Sequence, residues 1–229
     1  MNFKINKNIL DIVPLFNITC YHIKFKDNYN ALEKSNKVDN LLLDLMKECQ
    51  NKYNYDDITK INKLKETRDG YKAFGKDPSH TRPAAEALLR RMVKGNMLYR
   101  LGDVIDLGNI LSIKSLRSVC VVDYNKLVGN IEIRLGTKDD SYQGIGRDII
   151  NVENIPVYFD EVGPFGSPTS DTRRTIVDSS TKEILIMIIN FSYNDIEEDE
   201  KILLELYQNY TAYIEIEKIS KEEERNDER

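Results

Sequence analysis

Asp103-Val-Ile-Asp-Leu-Gly-Asn-Ile-Leu-Ser-Ile-Lys-Ser-Leu-Arg-Ser-Val-Cys-Val-Val-Asp123 changes period partway along. As far as Ile113, the residues Val104, Leu107 and Leu111 recur at helical spacing. From Arg117 the run becomes β-branched and apolar and reads as a strand ending at Asp123. Segments before this switch are mostly helical and segments after it are mostly extended. That order predicts an α+β fold, with N-terminal helices packed on a clustered, mostly antiparallel β-sheet or sandwich.

Upstream, Leu32 to Tyr53 carries Leu32, Val38, Leu41, Leu42, Leu45, Met46 and Cys49 on one face, which predicts an amphipathic helix. A second helix is expected after Tyr55, capped by Asp56 or Asp57 and running toward Gly70. Pro83 suits a first helical turn, and Ala85, Leu88, Leu89, Met92 and Val93 form an apolar stripe that Gly95 can close in the left-handed conformation. Ile18 to Phe25 reads as a strand ahead of these helices. Downstream, strands are expected at Asn130 to Leu135, Val157 to Asp160, Arg174 to Val177 and Glu183 to Phe191. Turn residues separate them at Asp139-Asp140-Ser141, Gly144-Ile145-Gly146 and Gly163-Pro164-Phe165-Gly166. Asp195 and Glu198 form a capping pair for a last helix carrying Ile202, Leu203, Leu206, Tyr207, Tyr210 and Ile214. Residues 1–217 are read as one domain, followed by a charged, disordered tail over 218–229.

A chain of 229 residues with 41% hydrophobic content can bury a sizeable core without staples. Three cysteines and two histidines lack metal-ligand spacing, so neither a metal, a cofactor nor a disulfide framework is expected. No stretch is long and apolar enough for a membrane span, and Met1 to Leu10 lacks a signal-peptide core, so a cytoplasmic protein is expected. The net charge of −5 argues weakly against nucleic-acid binding, but the charge is segregated. Lys60 to Arg117 holds 13 Lys or Arg against 6 Asp or Glu, whereas Asp195 to Arg229 holds 13 acids against 5 bases. A basic face could meet phosphates, or these could be ordinary solvated helix faces. Arg82, Arg90, Arg91 and Lys94 are the candidate RNA contacts.

Gly144-Ile145-Gly146 is too short for a dinucleotide loop. His22 sits inside a strand and reads as structural, and Cys120 lies in an apolar run where a thiol is usually inert. The cluster Ser170-Asp171-Thr172-Arg173-Arg174-Thr175 suits either a solvated turn or recognition of an amine, carboxylate or phosphate.

Several blocks taken in order resemble one family. Tyr71-Lys-Ala-Phe-Gly-Lys-Asp-Pro78 is followed by Arg82-Pro83 and by Glu86-Ala-Leu-Leu-Arg-Arg91. Then come Asp103-Val-Ile-Asp106-Leu-Gly-Asn109, Val119-Cys-Val-Val-Asp123, Ile131-Glu-Ile-Arg134, Val157-Tyr-Phe-Asp160 and Asp171-Thr-Arg-Arg-Thr175. Over roughly Tyr71 to Phe191 the chain resembles free-standing proteins of the B3/B4 type, related to the editing domain of the phenylalanyl-tRNA synthetase beta subunit. The resemblance implies a B3/B4-type fold and dealings with tRNA or aminoacyl-tRNA, and no DNA. Its catalytic pattern is not kept. The family's threonine falls at Gly108, its histidine at Cys120, and its glutamate at Thr172 or Arg173. Asp106, Asn109, Asp123, Arg134 and Asp160 do match the pattern, and such residues can equally serve the fold alone.

Two functional readings follow. One is a trans-acting hydrolase of mischarged tRNA; the other is a non-catalytic binding module for tRNA, a free amino acid or a related metabolite. Asp171, Thr172, Arg173, Arg174, Thr175, Asn109 and Cys120 are the candidate ligand residues for both, with no catalytic residue assigned.

Overall fold

Six consecutive apolar residues, Ile184 to Ile189, run through the centre of the molecule, and the strand they form is buried on both faces. A computed structural model describes residues 1–146 and 148–222. In chain order the elements are β1 (Phe3–Ile5), α1 (Lys7–Leu10), β2 (Asn17–Phe25), α2 (Asn36–Lys52), a 3₁₀ turn at Tyr55–Lys60, and α3 (Asn62–Ala73). Next come α4 (Ala84–Val93), α5 (Asp103–Ser115), β3 (Ser118–Asp123), β4 (Ile131–Leu135), β5 (Ser141–Gln143) and β6 (Ile149–Asn151). The chain continues through β7 (Pro156–Phe159), β8 (Pro164–Gly166), β9 (Glu183–Asn190), α6 (Ile196–Tyr210) and β10 (Tyr213–Ile219).

One sheet has the order β10-β2-β9-β3 and is antiparallel throughout. A second has the order β1-β4-β7-β8, with β1 parallel to β4 and the other pairs antiparallel. β5 and β6 form a separate hairpin. The alternation of side chains along β9 explains the layering. Ile184, Ile186 and Ile188 join α2, α4, α5 and α6 in one core, while Leu185, Met187 and Ile189 face the second sheet in another. The result is an α+β fold of three layers: helices, the central sheet, and the second sheet. No helix among the described residues is long and apolar enough to cross a membrane.

The structure refines several element boundaries. Ser35 caps α2 by accepting the Val38 N–H, and Asn54, not Asp56 or Asp57, caps the following turn. The expected strand Arg174 to Val177 is a turn instead, because the Thr172 hydroxyl draws in the Arg174 N–H and Arg173 accepts the Ile176 N–H. The Asp195 side chain makes no capping bond; the residue adopts a left-handed conformation and its carboxylate approaches Lys63 at 3.4 Å. Ile214 lies not on α6 but in β10, which satisfies the edge of β2. The same strand takes in Lys218 and Ile219, and Lys221 bridges Phe3, so ordered pairing extends past residue 217. The rest of the predicted tail, 223–229, lies outside the described residues.

Candidate functional site

A cavity of about 230 Å³ opens between α5, the outer edge of β3 and the segment 171–177. Its walls are aliphatic, from Leu32, Ile105, Val119, Val121, Ile176 and Val177. Four polar side chains join them: Asn109, Asp171, Thr172 and Thr175. Leu101 and Ile145, both large and exposed, stand at its mouth.

The polar segment owes its position to bonds on every side. Thr172 N–H donates to the Phe165 carbonyl, Ile145 N–H to the Asp171 carbonyl, and Asp123 N–H to the Thr175 carbonyl. The Tyr142 hydroxyl lies against Ser167 Oγ at 2.8 Å and also bonds the Ser170 carbonyl. Tyr71 Oη meets Thr169 Oγ1 at 2.9 Å. These anchors hold the loop rigidly against the sheets, as a preformed binding wall requires.

Asp171 is partly buried and lines the cavity. Burial pushes its pKa up to about 7, against the stabilising hydrogen bonds of the Cys120 thiol and the Val121 N–H. No cation among the described residues contributes to that balance. A carboxyl of this kind ionises readily when an ammonium arrives to share its charge. Thr175 is fully buried, and its Oγ1 has no hydrogen-bond partner. Asn109 makes no side-chain hydrogen bond among the described residues and is turned to the cavity.

The other candidates divide. Cys120 does not line the cavity: it sits in the core between the two sheets and reaches the site only through Asp171. Burial raises its thiol well above the usual range, so it is no nucleophile. Arg174 faces away from the cavity and grips Asp160 with two bonds of 2.8 and 3.0 Å. Burial works against the ionisation of Asp160, but Arg174 and the N–H groups of Val128 and Gly163 outweigh it and hold the carboxyl below its ordinary value. Arg173 is exposed, on a shallow surface beyond the loop. The segment therefore sends Asp171, Thr172 and Thr175 inward and its guanidinium groups outward.

The basic helix is also tied into the structure. Glu86, buried on α4, binds Arg68 at 2.8 Å and Arg90 at 2.8 Å, and lies 3.6 Å from Arg82. Arg91 Nε donates to the Met97 carbonyl while its guanidinium lies over the exposed Tyr99 ring. Arg90 and Lys94 lie over Tyr55, and their hydrogen bonds lower its pKa. Arg82 and Lys94 remain the exposed members of the set. The aliphatic lining is invisible in sequence because it converges from separate elements; the β-branched run Val119 to Val122 is its only local sign.

The glycine that stands where the family has its threonine has a physical reason. A Cβ on Gly108 would lie 2.4 Å from Val121 Cγ2 and 3.5 Å from the Tyr207 hydroxyl. Helix α5 therefore lies too close to β3 for a threonine there. His22, the other notable imidazole, is stacked on Tyr124 and bonded to Glu183 at 2.7 Å, away from the cavity lining.

No curated protein matches the sequence. Among solved structures, the chain is similar to an N-terminal fragment of the phenylalanyl-tRNA synthetase beta-subunit from Pyrococcus horikoshii. That similarity has a TM-score of 0.48 and 11% identity, and covers 91% of this chain. The chain spans 48% of the length of that fragment. The family model of the B3/4 domain matches residues 66–212, a stretch that runs from the third helix past the last helix and includes most of the cavity wall, and the chain belongs to that family.

Proposed function

We propose that the protein is a tRNA-related domain whose cavity receives the aminoacyl end of an aminoacyl-tRNA. The observation that carries this reading is Asp171: the one titratable group among the described residues of a largely aliphatic cavity, desolvated and without a cationic partner among the described residues. An aminoacyl group offers an ammonium to that carboxylate and an apolar side chain to the walls. The exposed Arg82 and Lys94 supply positive charge, and the exposed Tyr99 an aromatic face, for the polynucleotide. A protein with such a substrate would work in the cytoplasm.

Trans-editing hydrolysis is the activity to which this reading extends. Once Asp171 holds the ammonium, no second titratable group lines the cavity among the described residues. The chain then contributes binding and positioning, and the terminal ribose hydroxyl of the substrate assists the attacking water. A second reading, a module that binds a free amino acid, is favoured by the internal commitments of Arg90 and Arg91, which hold them from phosphates. A panel of misacylated tRNAs, with deacylation and binding measured in the same samples, separates the readings. Turnover selects the hydrolase, saturable binding of aminoacyl-tRNA without turnover selects a non-catalytic tRNA-binding module, and absence of both refutes the tRNA proposal, with a titration of the free amino acid then testing the second reading.

A further inference from the structure

We infer, on the basis of the aminoacyl reading above, that the shallow groove beside the cavity binds the phosphate nearest the acylated sugar, and that Arg173 holds it. Arg173 is exposed, and among the described residues its guanidinium has neither a hydrogen bond, an ion pair nor a ring contact. Every other described arginine is committed to a carboxylate or a carbonyl, as Arg174 is to Asp160 and Arg134 to Asp140. Arg173 therefore keeps its whole fork of donors for an outside acceptor, and a phosphate can take two of them at once. Its backbone is pinned even though its side chain is free. The Thr172 N–H donates to the Phe165 carbonyl, and the Arg173 carbonyl accepts the Ile176 N–H.

Strand alternation builds the rest of the groove. Along β5 the pleat that turns Tyr142 inward to Ser167 leaves Ser141 and Gln143 facing out, and both line the groove with Arg173. Neither side chain is bonded among the described residues, so each can donate to a phosphate or sugar oxygen. Asp160 already neutralises Arg174, and no acid lines the groove among the described residues, so the charge of Arg173 is uncompensated there. Thr172 is the wall that groove and cavity share, with Asp171 lining the cavity and Arg173 the groove. The Cα atoms of residues two apart are at most about 7 Å from each other. In an acylated 3′ terminus, one ester and one sugar separate the ammonium from the nearest phosphate, a span of no more than ~10 Å at covalent bond lengths. An ammonium on Asp171 brings that phosphate within reach of a long side chain rooted at position 173.

The test uses the full chain and titration calorimetry with 3′-deoxy-3′-(L-valylamino)adenosine, its 5′-phosphate, and adenosine 5′-phosphate. The wild type should bind the acylated phosphate ~10-fold more tightly than the acylated nucleoside, as a hydrogen bond between charged groups requires. Arg173→Ala, at an exposed position, should bring these two probes within about 2-fold of each other while leaving the affinity for the nucleoside unchanged. Arg173→Lys should keep part of the preference, because it keeps the charge and loses the fork. A wild type that does not distinguish the acylated probes overturns the phosphate site and leaves the aminoacyl reading standing. A preference that survives Arg173→Ala also overturns it, since another group then holds the phosphate. Adenosine 5′-phosphate binding as tightly as the acylated phosphate makes the groove a free-nucleotide site and overturns its link to the cavity. Failure of both acylated probes to bind overturns this inference, whereas the tRNA panel alone decides the underlying reading.

Discussion

Replacing Asp171 by asparagine should make the protein more stable at neutral pH and about 1 kcal/mol less stable in acid. The folded-state pKa of about 7 stands above the ordinary value of 3.8, so the native state holds the proton over an interval where the unfolded chain has released it. Stability contributed by the protonated group is complete below the unfolded value and is lost as pH rises through 7. At about 1.4 kcal/mol for each pH unit, the full interval amounts to ~4 kcal/mol by pH 8. Asparagine is neutral throughout and keeps one oxygen for the Cys120 thiol or the Val121 N–H, at a cost of about 1 kcal/mol for the bond it cannot reproduce. The expected net gain at pH 8 is therefore ~3 kcal/mol, a rise of roughly 6–12 °C in a chain of this size. Urea unfolding of both proteins at half-unit steps from pH 4.5 to 8 measures it. Wild-type and variant profiles that run parallel across that range would falsify the buried-carboxyl account of the cavity.

Other expectations follow from neighbouring contacts. Amine-bearing ligands should bind more tightly as pH rises toward 7, because they need Asp171 ionised and their own ammonium intact, and Asp171→Asn should flatten that dependence in a calorimetric titration. Arg174→Ala removes both bonds to the buried Asp160 and should cost about 2 kcal/mol of stability, with ligand affinity intact; weakened affinity in a folded variant would return Arg174 to the binding site. Gly108→Ala gains ~1 kcal/mol in helix propensity but forces an approach of 2.4 Å to Val121, for a net loss of about 1–2 kcal/mol that Val121→Ala should relieve in thermal unfolding. Reversing the exposed Arg82 and Lys94 to glutamate should weaken tRNA binding and flatten its salt dependence by about one unit for every phosphate no longer neutralised, and an unchanged slope argues that α4 does not meet phosphates.

Legibility followed the range over which each feature is decided. α4 is plain in the sequence because its stripe, its proline and Gly95 are all local, and the positive φ of 75° at Gly95 agrees with its expected role. β9 is plain because a strand covered on both faces must be apolar without interruption. β1, β8 and β10 escape such a reading. Each owes its conformation to a partner strand, and for β1 and β10 that partner is far away in sequence, as Ile131 is from Phe3 and Phe25 from Tyr213. In the polar segment, composition alone could point to Asp171 and Arg174 together. Their opposite directions depend on Asp160 and Val121, which no reading of the segment by itself can place.

The double coverage of β9 also has a consequence before folding is complete. Ile184 to Ile189 is an uncharged, β-prone, proline-free hexapeptide, the composition that stacks into intermolecular cross-β assemblies. In the native protein it is shielded above, below and along both edges by helices, the second sheet, β2 and β3. Of that cover only α6 follows β9 in chain order, so the hexapeptide lacks full shielding until α6 has been made and the helical layer has closed. Lys182 and Glu183 stand just before the hexapeptide and Asn190 just after it, where charge and polarity discourage such stacking. Substitutions that weaken the three-layer packing therefore endanger yield twice, by lowering stability and by lengthening the time for which this segment is free to find a copy of itself.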